Sequence, residues 1–180
     1  KDSLQVTSLL HCITDFERIS DHSINVVESV QQMRKENLTF SRKGEEEMNL
    51  YGAAIRDILT RTTDAFVNND QALAHTVEPL EEVIDDINTV VKANHIRRLQ
   101  KGKCTIEQGF VLSDISMNLE RVSDHCSNIA VSVIEEQEKQ AASHAYLHSL
   151  KKNDEFSFQL QQNLSRYVLP AETAEDQPAE

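Results

Sequence analysis

The sequence predicts an all-α protein, and three observations carry that prediction. With 4 Gly, 3 Pro and 5% aromatic residues, the chain is poor in the turn and strand formers that β and α/β folds need. Apolar residues recur at i, i+3, i+4 and i+7 over long stretches. Helix-capping residues stand at the ends of those stretches.

The first helix is expected from about Asp2 to Glu36, with Leu9, Ile13, Phe16, Ile19, Val26 and Val30 on one face, and it ends in the linker Asn37–Phe40. Ser41 caps a second helix by accepting a hydrogen bond from a free backbone N–H; Leu50, Ile55, Ile58 and Leu59 mark its face, and Asn68-Asn69 its end. Asp70 caps a third, carrying Leu73, Val77, Leu80, Ile84, Ile87 and Val91. Pro79 either kinks that helix or marks its true start, because proline removes a ladder hydrogen bond and crowds the preceding turn. Arg97, Arg98 and Lys101 suit a helix C-terminus, and Gly102 suits the left-handed residue that follows it.

Thr105 and Gln108 form a capping box for a fourth helix, with a stripe of Leu112, Ile115, Leu119, Val122, Cys126, Ile129 and Val133 running to about Gln140. A shorter helix is expected from about Ser143 to Tyr167, with Leu147, Leu150, Phe156, Leu160 and Leu164. From Pro170 the acidic, apolar-poor tail is expected to be disordered. Long amphipathic helices joined by short loops make an antiparallel bundle.

At 180 residues the chain suffices for one sizeable core or two small helical modules. No apolar run approaches the roughly 18 residues of a membrane-spanning helix. There is no signal peptide, and the first residue is Lys, so the chain is expected to be an excerpt of a longer protein. A net charge of −12 repels phosphate backbones and argues against nucleic-acid binding. The same charge suits cations, or simply keeps the protein soluble. Cys12, Cys104 and Cys126 form no Cys-x-x-Cys pair and fit buried small residues in a reducing compartment. No nucleotide loop, phosphate cradle or nucleophile elbow appears.

The strongest internal signal is a duplication. Residues 15–30 and 118–133 align at a constant offset of 103, with 8 of 16 positions identical, and both contain Glu-Arg-x-Ser-Asp-His-x-x-Asn. Packing alone preserves apolar character, yet here the polar residues match best. At 100° per residue Glu120 and Asp124 stand one turn apart on one face, largely away from the Leu119–Val122–Cys126 stripe, with Asn128 one turn further. Glu17, Asp21 and Asn25 repeat the arrangement.

Two carboxylates at i, i+4 repel by a few tenths of a kcal/mol, and a cation held between them reverses the sign. Arg18 and Arg121 offer the other reading, neutralising the acids as ion pairs. His22 and His125, about a quarter turn away, are either donors behind the carboxylates or packing residues at a helix interface. Glu81 with Asp85, and Glu82 with Asp86, show the same spacing on the third helix.

The segments Phe16-Glu17-Arg18-Ile19-Ser20-Asp21-His22 and Leu119-Glu120-Arg121-Val122-Ser123-Asp124-His125 resemble the signature helix of PhoU domains, tandem three-helix bundles with acidic Glu/Asp-x-x-x-Asp motifs. His95-Ile96-Arg97-Arg98-Leu99-x-x-Gly102-x-Cys104, with Asn128-Ile129-Ala130, is similar to the PhoU-like cytoplasmic tail of bacterial sodium/phosphate cotransporters, as are His144-x-Tyr146-Leu147 and the helix reaching Tyr167.

The resemblance spans roughly residues 3–168 and implies a division of the chain. Residues 1–36 are the third helix of a truncated first repeat, 41–140 a complete second repeat, 141–168 a C-terminal helix and 169–180 an acidic tail. It implies a non-catalytic regulator of phosphate transport or signalling, on the cytoplasmic side of the bacterial inner membrane. The partners implied are an upstream sodium/phosphate transporter membrane domain or other phosphate-uptake machinery. Divalent or iron-type metal ions are implied at Glu17, Asp21, Glu120 and Asp124, with Glu81 and Asp85 contributing from the neighbouring helix. The first helix, without its own bundle partners, must pack on the second repeat, on the C-terminal helix or on another copy, so a homo-oligomer is expected. Two other readings stand beside this one: a metal-free oligomerisation module, and a four-helix-bundle di-metal carboxylate enzyme. The second lacks the Glu-x-x-His pairs such enzymes use.

Overall fold

A computed structural model describes residues 2–141 and 154–170. All elements among these residues are helices: α1 (Asp2–Lys35), α2 (Arg42–Asn68), α3 (Gln71–Ala74), α4 (Val77–Gln100), α5 (Ile106–Ala141) and α6 (Asp154–Arg166). The all-α prediction holds.

Local chemistry sets most boundaries. Ser41 Oγ accepts from the Gly44 amide at 3.3 Å to open α2, and Asp70 Oδ1 accepts from the Leu73 amide at 3.0 Å to open α3. Asn69, left-handed at φ 51°, closes α2. The Thr105–Gln108 box forms in both directions: the Thr105 amide donates to Gln108 Oε1 at 2.7 Å, and the Gln108 amide donates to Thr105 Oγ1 at 3.3 Å. Gly102 takes φ +64° after α4.

Of the two readings of Pro79, kink or true start, the structure agrees with the second: the segment from Asp70 is two helices. The chain breaks at His75–Thr76, and Pro79 falls in the first turn of α4, where its missing N–H has no helical partner to lose.

α2, α4 and α5 pack on one another around Tyr51, Ile58, Leu80, Ile84, Val122 and Ile129, all buried. The predicted stripes of α4 and α5 are the buried ones, from Val77 to Val91 and from Leu112 to Val133. The buried charges of Glu47 and Arg98 are paired. Glu47, 3% exposed, is gripped by the Arg98 guanidinium (Nη1 to Oε1 3.0 Å, Nη2 to Oε2 2.8 Å) and by Asn94 Nδ2 at 2.8 Å. Gly109 packs where a Cβ would stand 2.8 Å from His95 Nε2.

α6 lies on α4 and is tied to α2 through Asp57, which accepts from the Tyr167 hydroxyl at 2.7 Å and from Arg166 at 3.0 Å. Burial works to raise the Asp57 carboxyl; the Arg61 and Tyr167 hydrogen bonds outweigh it and hold the group below its usual range. Phe156 and Leu160 are half-buried and Leu164 is exposed, while Asn163 and Tyr167 are the buried residues at this end. His144, Tyr146, Leu147, Leu150 and the tail beyond Pro170 lie outside the described residues.

α1 packs along α5. Its expected face holds from Phe16 onward: Ile19 is buried, Val26 and Val30 pack against the core, and Phe16 meets Phe66 edge to face with centroids 5.2 Å apart; Cys12 is buried as well. Leu9 and Ile13, expected in the core, are 51% and 54% exposed. Val6, Leu10, Ile24 and Val27 join them in facing solvent. The Cys12 and Cys126 side chains are buried, as expected, and Cys104 is half-buried.

Candidate functional site: the paired signature helices and the acidic face

The two copies of the signature meet each other. His125 Nδ1 is 2.8 Å from Asp15 Oδ1, and His22 Nδ1 is 2.9 Å from Asn118 Oδ1. A step of seven residues forward on α1 is a step of seven backward on α5, so the helices run antiparallel. Under the 103-residue offset Asp15 corresponds to Asn118 and His22 to His125. The two hydrogen bonds are therefore one contact made twice about a local pseudo-two-fold axis. Between them the imidazoles stack, with centroids 5.7 Å apart and planes inclined by 21°. Asn25 Nδ2 donates to the same Asn118 oxygen at 3.1 Å. The histidines are thus packing residues at a helix interface. Asp15 and Asn118 escaped sequence reasoning; their signal was that the first aligned pair differs only as acid and amide.

The signature carboxylates lie elsewhere. Glu17 and Asp21 are exposed on α1. Glu120 and Asp124 are half-buried on α5, beside Glu78, Glu81 and Asp85 of α4. Glu120 accepts from Asn88 Nδ2 at 2.7 Å and faces Lys92 Nζ at 3.5 Å. Asp124 lies 3.8 Å from Arg121 Nη1, so the ion-pair reading of the motif arginine applies on α5. The Ser127 hydroxyl donates to Glu78, and Asn128 is exposed.

The α4–α5 acids act on one another. Burial raises Glu81 to about 7, aided by the charges of Asp85, Glu78, Asp124 and Glu82. Burial and then Glu120, Asp124, Asp86 and Glu78 raise Asp85. Beneath them the buried Tyr51 phenol is raised by desolvation and then by Glu120, Asp85 and Asp124, while its hydroxyl donates to the Ser116 carbonyl at 3.3 Å. Asn88 Oδ1, buried below Glu120, accepts no hydrogen bond from the described residues.

These donors are all hard oxygens, the chemistry a hard cation takes. They form no closed cage: among the described residues no three His, Cys, Asp or Glu side chains are grouped where they could hold a metal ion. Glu81, Asp85, Glu120 and Asp124 are brought to one face, and the α1 pair Glu17 and Asp21 is not among the charges that act on Glu81 and Asp85. Glu78, Asn88 and Lys92 complete that face: with Glu81 and Asp85 they recur every three or four residues along α4, a stripe that a search for paired carboxylates alone passed over.

Comparison with known proteins places the same region. Residues 48–133, from α2 through most of α5, match the PhoU domain. The chain is 28% identical over 129 residues to the phosphate-specific transport system accessory protein PhoU homolog 1 of Thermotoga maritima, covering 72% of this chain and 55% of that protein. It is 25% identical to the PhoU homolog of Pseudomonas aeruginosa, covering 72% of this chain and 52% of that protein. The homolog of Pseudomonas putida is also 25% identical, with 72% and 50% covered. The chain thus spans about half the length of the curated relatives it matches. No solved structure matches it. Among the described residues no helix is long and apolar enough to cross a membrane.

Proposed function

We propose that this chain is a PhoU-type regulatory domain, without catalytic activity of its own, that acts on phosphate transport or its signalling. The observation that carries the reading is the match of residues 48–133, the segment that builds the α2–α4–α5 bundle and its acidic face, to the PhoU domain. The relatives are accessory proteins of phosphate-specific transport by name. The His95–Cys104 segment narrows the proposal to the cytoplasmic part of a sodium/phosphate cotransporter, with the membrane domain as partner. Co-purification with that domain and phosphate uptake after deletion of this segment test the reading. Absence of association together with unchanged uptake would refute it.

Within this reading the acidic face of α4 and α5 takes a divalent cation, with Glu81, Asp85, Glu120 and Asp124 as ligands whose side chains must draw together around it, since they are not grouped for a metal as they stand. Like-charged carboxylates held together against their own desolvation favour a cation that neutralises them. Binding requires Glu120 to leave Lys92. Titration calorimetry with Mn²⁺ tests this: saturable binding is expected, accompanied by proton release, and the Glu120→Gln/Asp124→Asn variant should bind at least about tenfold more weakly. Binding unchanged in that variant would move the ion elsewhere. The apolar stripe that α1 turns to solvent supports association with a second copy, which sedimentation at graded concentration measures.

A further inference from the structure

The acidic face continues into an apolar one along the same ridge of α5. Ile106, Phe110 and Met117 are each more than half exposed. They recur at steps of four and seven residues, so they project from one side of the helix. Glu120 and Asp124 follow on that side over the next two turns. From Ile106 to Asp124 the ridge is about 27 Å long. At the apolar end Ile96 of α4 is exposed as well, next to the His95 ring that packs on Gly109.

Neither half is fully answered within the chain. Glu120 faces Asn88 and Lys92, Asp124 faces Arg121, and Glu78 accepts from Ser127. Glu81 and Asp85 take no hydrogen bond or ion pair from the described residues, and the neighbouring carboxylates act on both. Large apolar side chains in line on an exposed ridge mark a surface that a partner covers.

The order of the two halves states the chemistry of that partner. Aliphatic side chains match the first half and lysine or arginine the second, and a helix carries both on one face. A helix also fits the groove between two packed helices, ridge into groove. An anionic lipid surface is repelled by these carboxylates, and a second copy presents the same acids to the same acids.

We propose that the α4–α5 face docks a basic amphipathic helix of a partner protein, with its aliphatic side chains on Ile106, Phe110 and Met117 and its cations on Glu81, Asp85 and Asp124. The inference rests on the regulatory reading of the chain and supplies a contact for it. A divalent ion and the partner's cations compete for the same carboxylates.

The test is fluorescence anisotropy of a labelled helical peptide of about 18 residues against the full chain, in chelator-containing buffer of low ionic strength. The peptide carries leucines on one face of its first half and lysines on the same face of its second half. Saturable binding is expected with Kd below about 100 µM. A peptide with glutamates in place of the lysines should bind at least about tenfold more weakly. Phe110→Ser/Met117→Ser and, separately, Glu81→Gln/Asp85→Asn should each weaken the lysine peptide at least about fivefold. A non-saturable response, equal binding of the two peptides, or binding that either double variant leaves unchanged would overturn the proposal. Docking absent while deletion of this segment still alters phosphate uptake overturns this inference alone. Docking retained with uptake unaffected overturns the regulatory reading alone.

Discussion

Removing the Arg98 guanidinium is the most informative single perturbation of the fold. Glu47 is 3% exposed and its carboxylate takes three hydrogen bonds, two of them from Arg98. Arg98→Ala leaves a buried carboxylate that keeps the hydrogen bond from Asn94 Nδ2. Breaking a buried pair on one side costs about 3–5 kcal/mol, because the orphaned charge keeps its desolvation penalty. Against a typical domain stability of about 5–15 kcal/mol this is a large fraction. Replacing both partners, Arg98→Met with Glu47→Leu, removes the charge with its partner and should recover most of the loss. Urea unfolding followed by circular dichroism measures all three proteins. A loss below about 1 kcal/mol in Arg98→Ala, or a double variant no better than the single one, would refute the reasoning.

In chelator-containing buffer, Glu81→Gln should stabilise the protein at pH 8 and not at pH 4.5. The folded carboxyl, raised from 4.5 to about 7, holds its proton where the unfolded one releases it, so stability is lost as pH rises through that window. The full shift corresponds to roughly 3 kcal/mol, which solvent screening of a half-buried group reduces to about 1 kcal/mol. His95, lowered by burial and then by Arg98, works in the opposite direction below its ordinary value, so the difference between variant and parent is the quantity to read. Gly109→Ala should cost about 1–3 kcal/mol in urea unfolding, because its Cβ meets a buried ring whose neighbours leave it little room. Tyr167→Phe should cost about 1.5 kcal/mol by removing a hydrogen bond to a charged acceptor, and hydrogen exchange should show α6 opening before the bundle.

What was legible in the sequence was local. Ser41, Asp70 and the Thr105–Gln108 box act on backbone groups three residues away, so their pattern carries their geometry. The stripes of α4 and α5 were legible because each helix is packed by several others, so its apolar residues at helical spacing are the buried ones. The break at His75–Thr76 was not: apolar spacing continues across it from Leu73 to Val77 and Leu80, and only Pro79 signalled a discontinuity. α1 misled in its N-terminal part, where Leu9 and Ile13 are left exposed although α5 runs along the helix and Phe66 of α2 meets Phe16. Much of its contact with α5 is polar, through Asp15, His22 and Asn25, so the apolar residues Leu9 and Ile13 did not mark the inner face. The repeat revealed which residues matter without revealing that the two copies touch, since an offset of 103 says nothing about which faces meet.

That contact is the central claim, and a double-mutant cycle on Asp15 and His125 tests it most directly. Asp15→Ala, His125→Ala and the double variant are compared by urea unfolding. The account predicts a coupling energy of about 1 kcal/mol or more, because the side chains lie 2.8 Å apart in a half-buried interface. Strictly additive losses would mean that α1 does not dock on α5 through its signature, and the pseudo-two-fold pairing would fall with it.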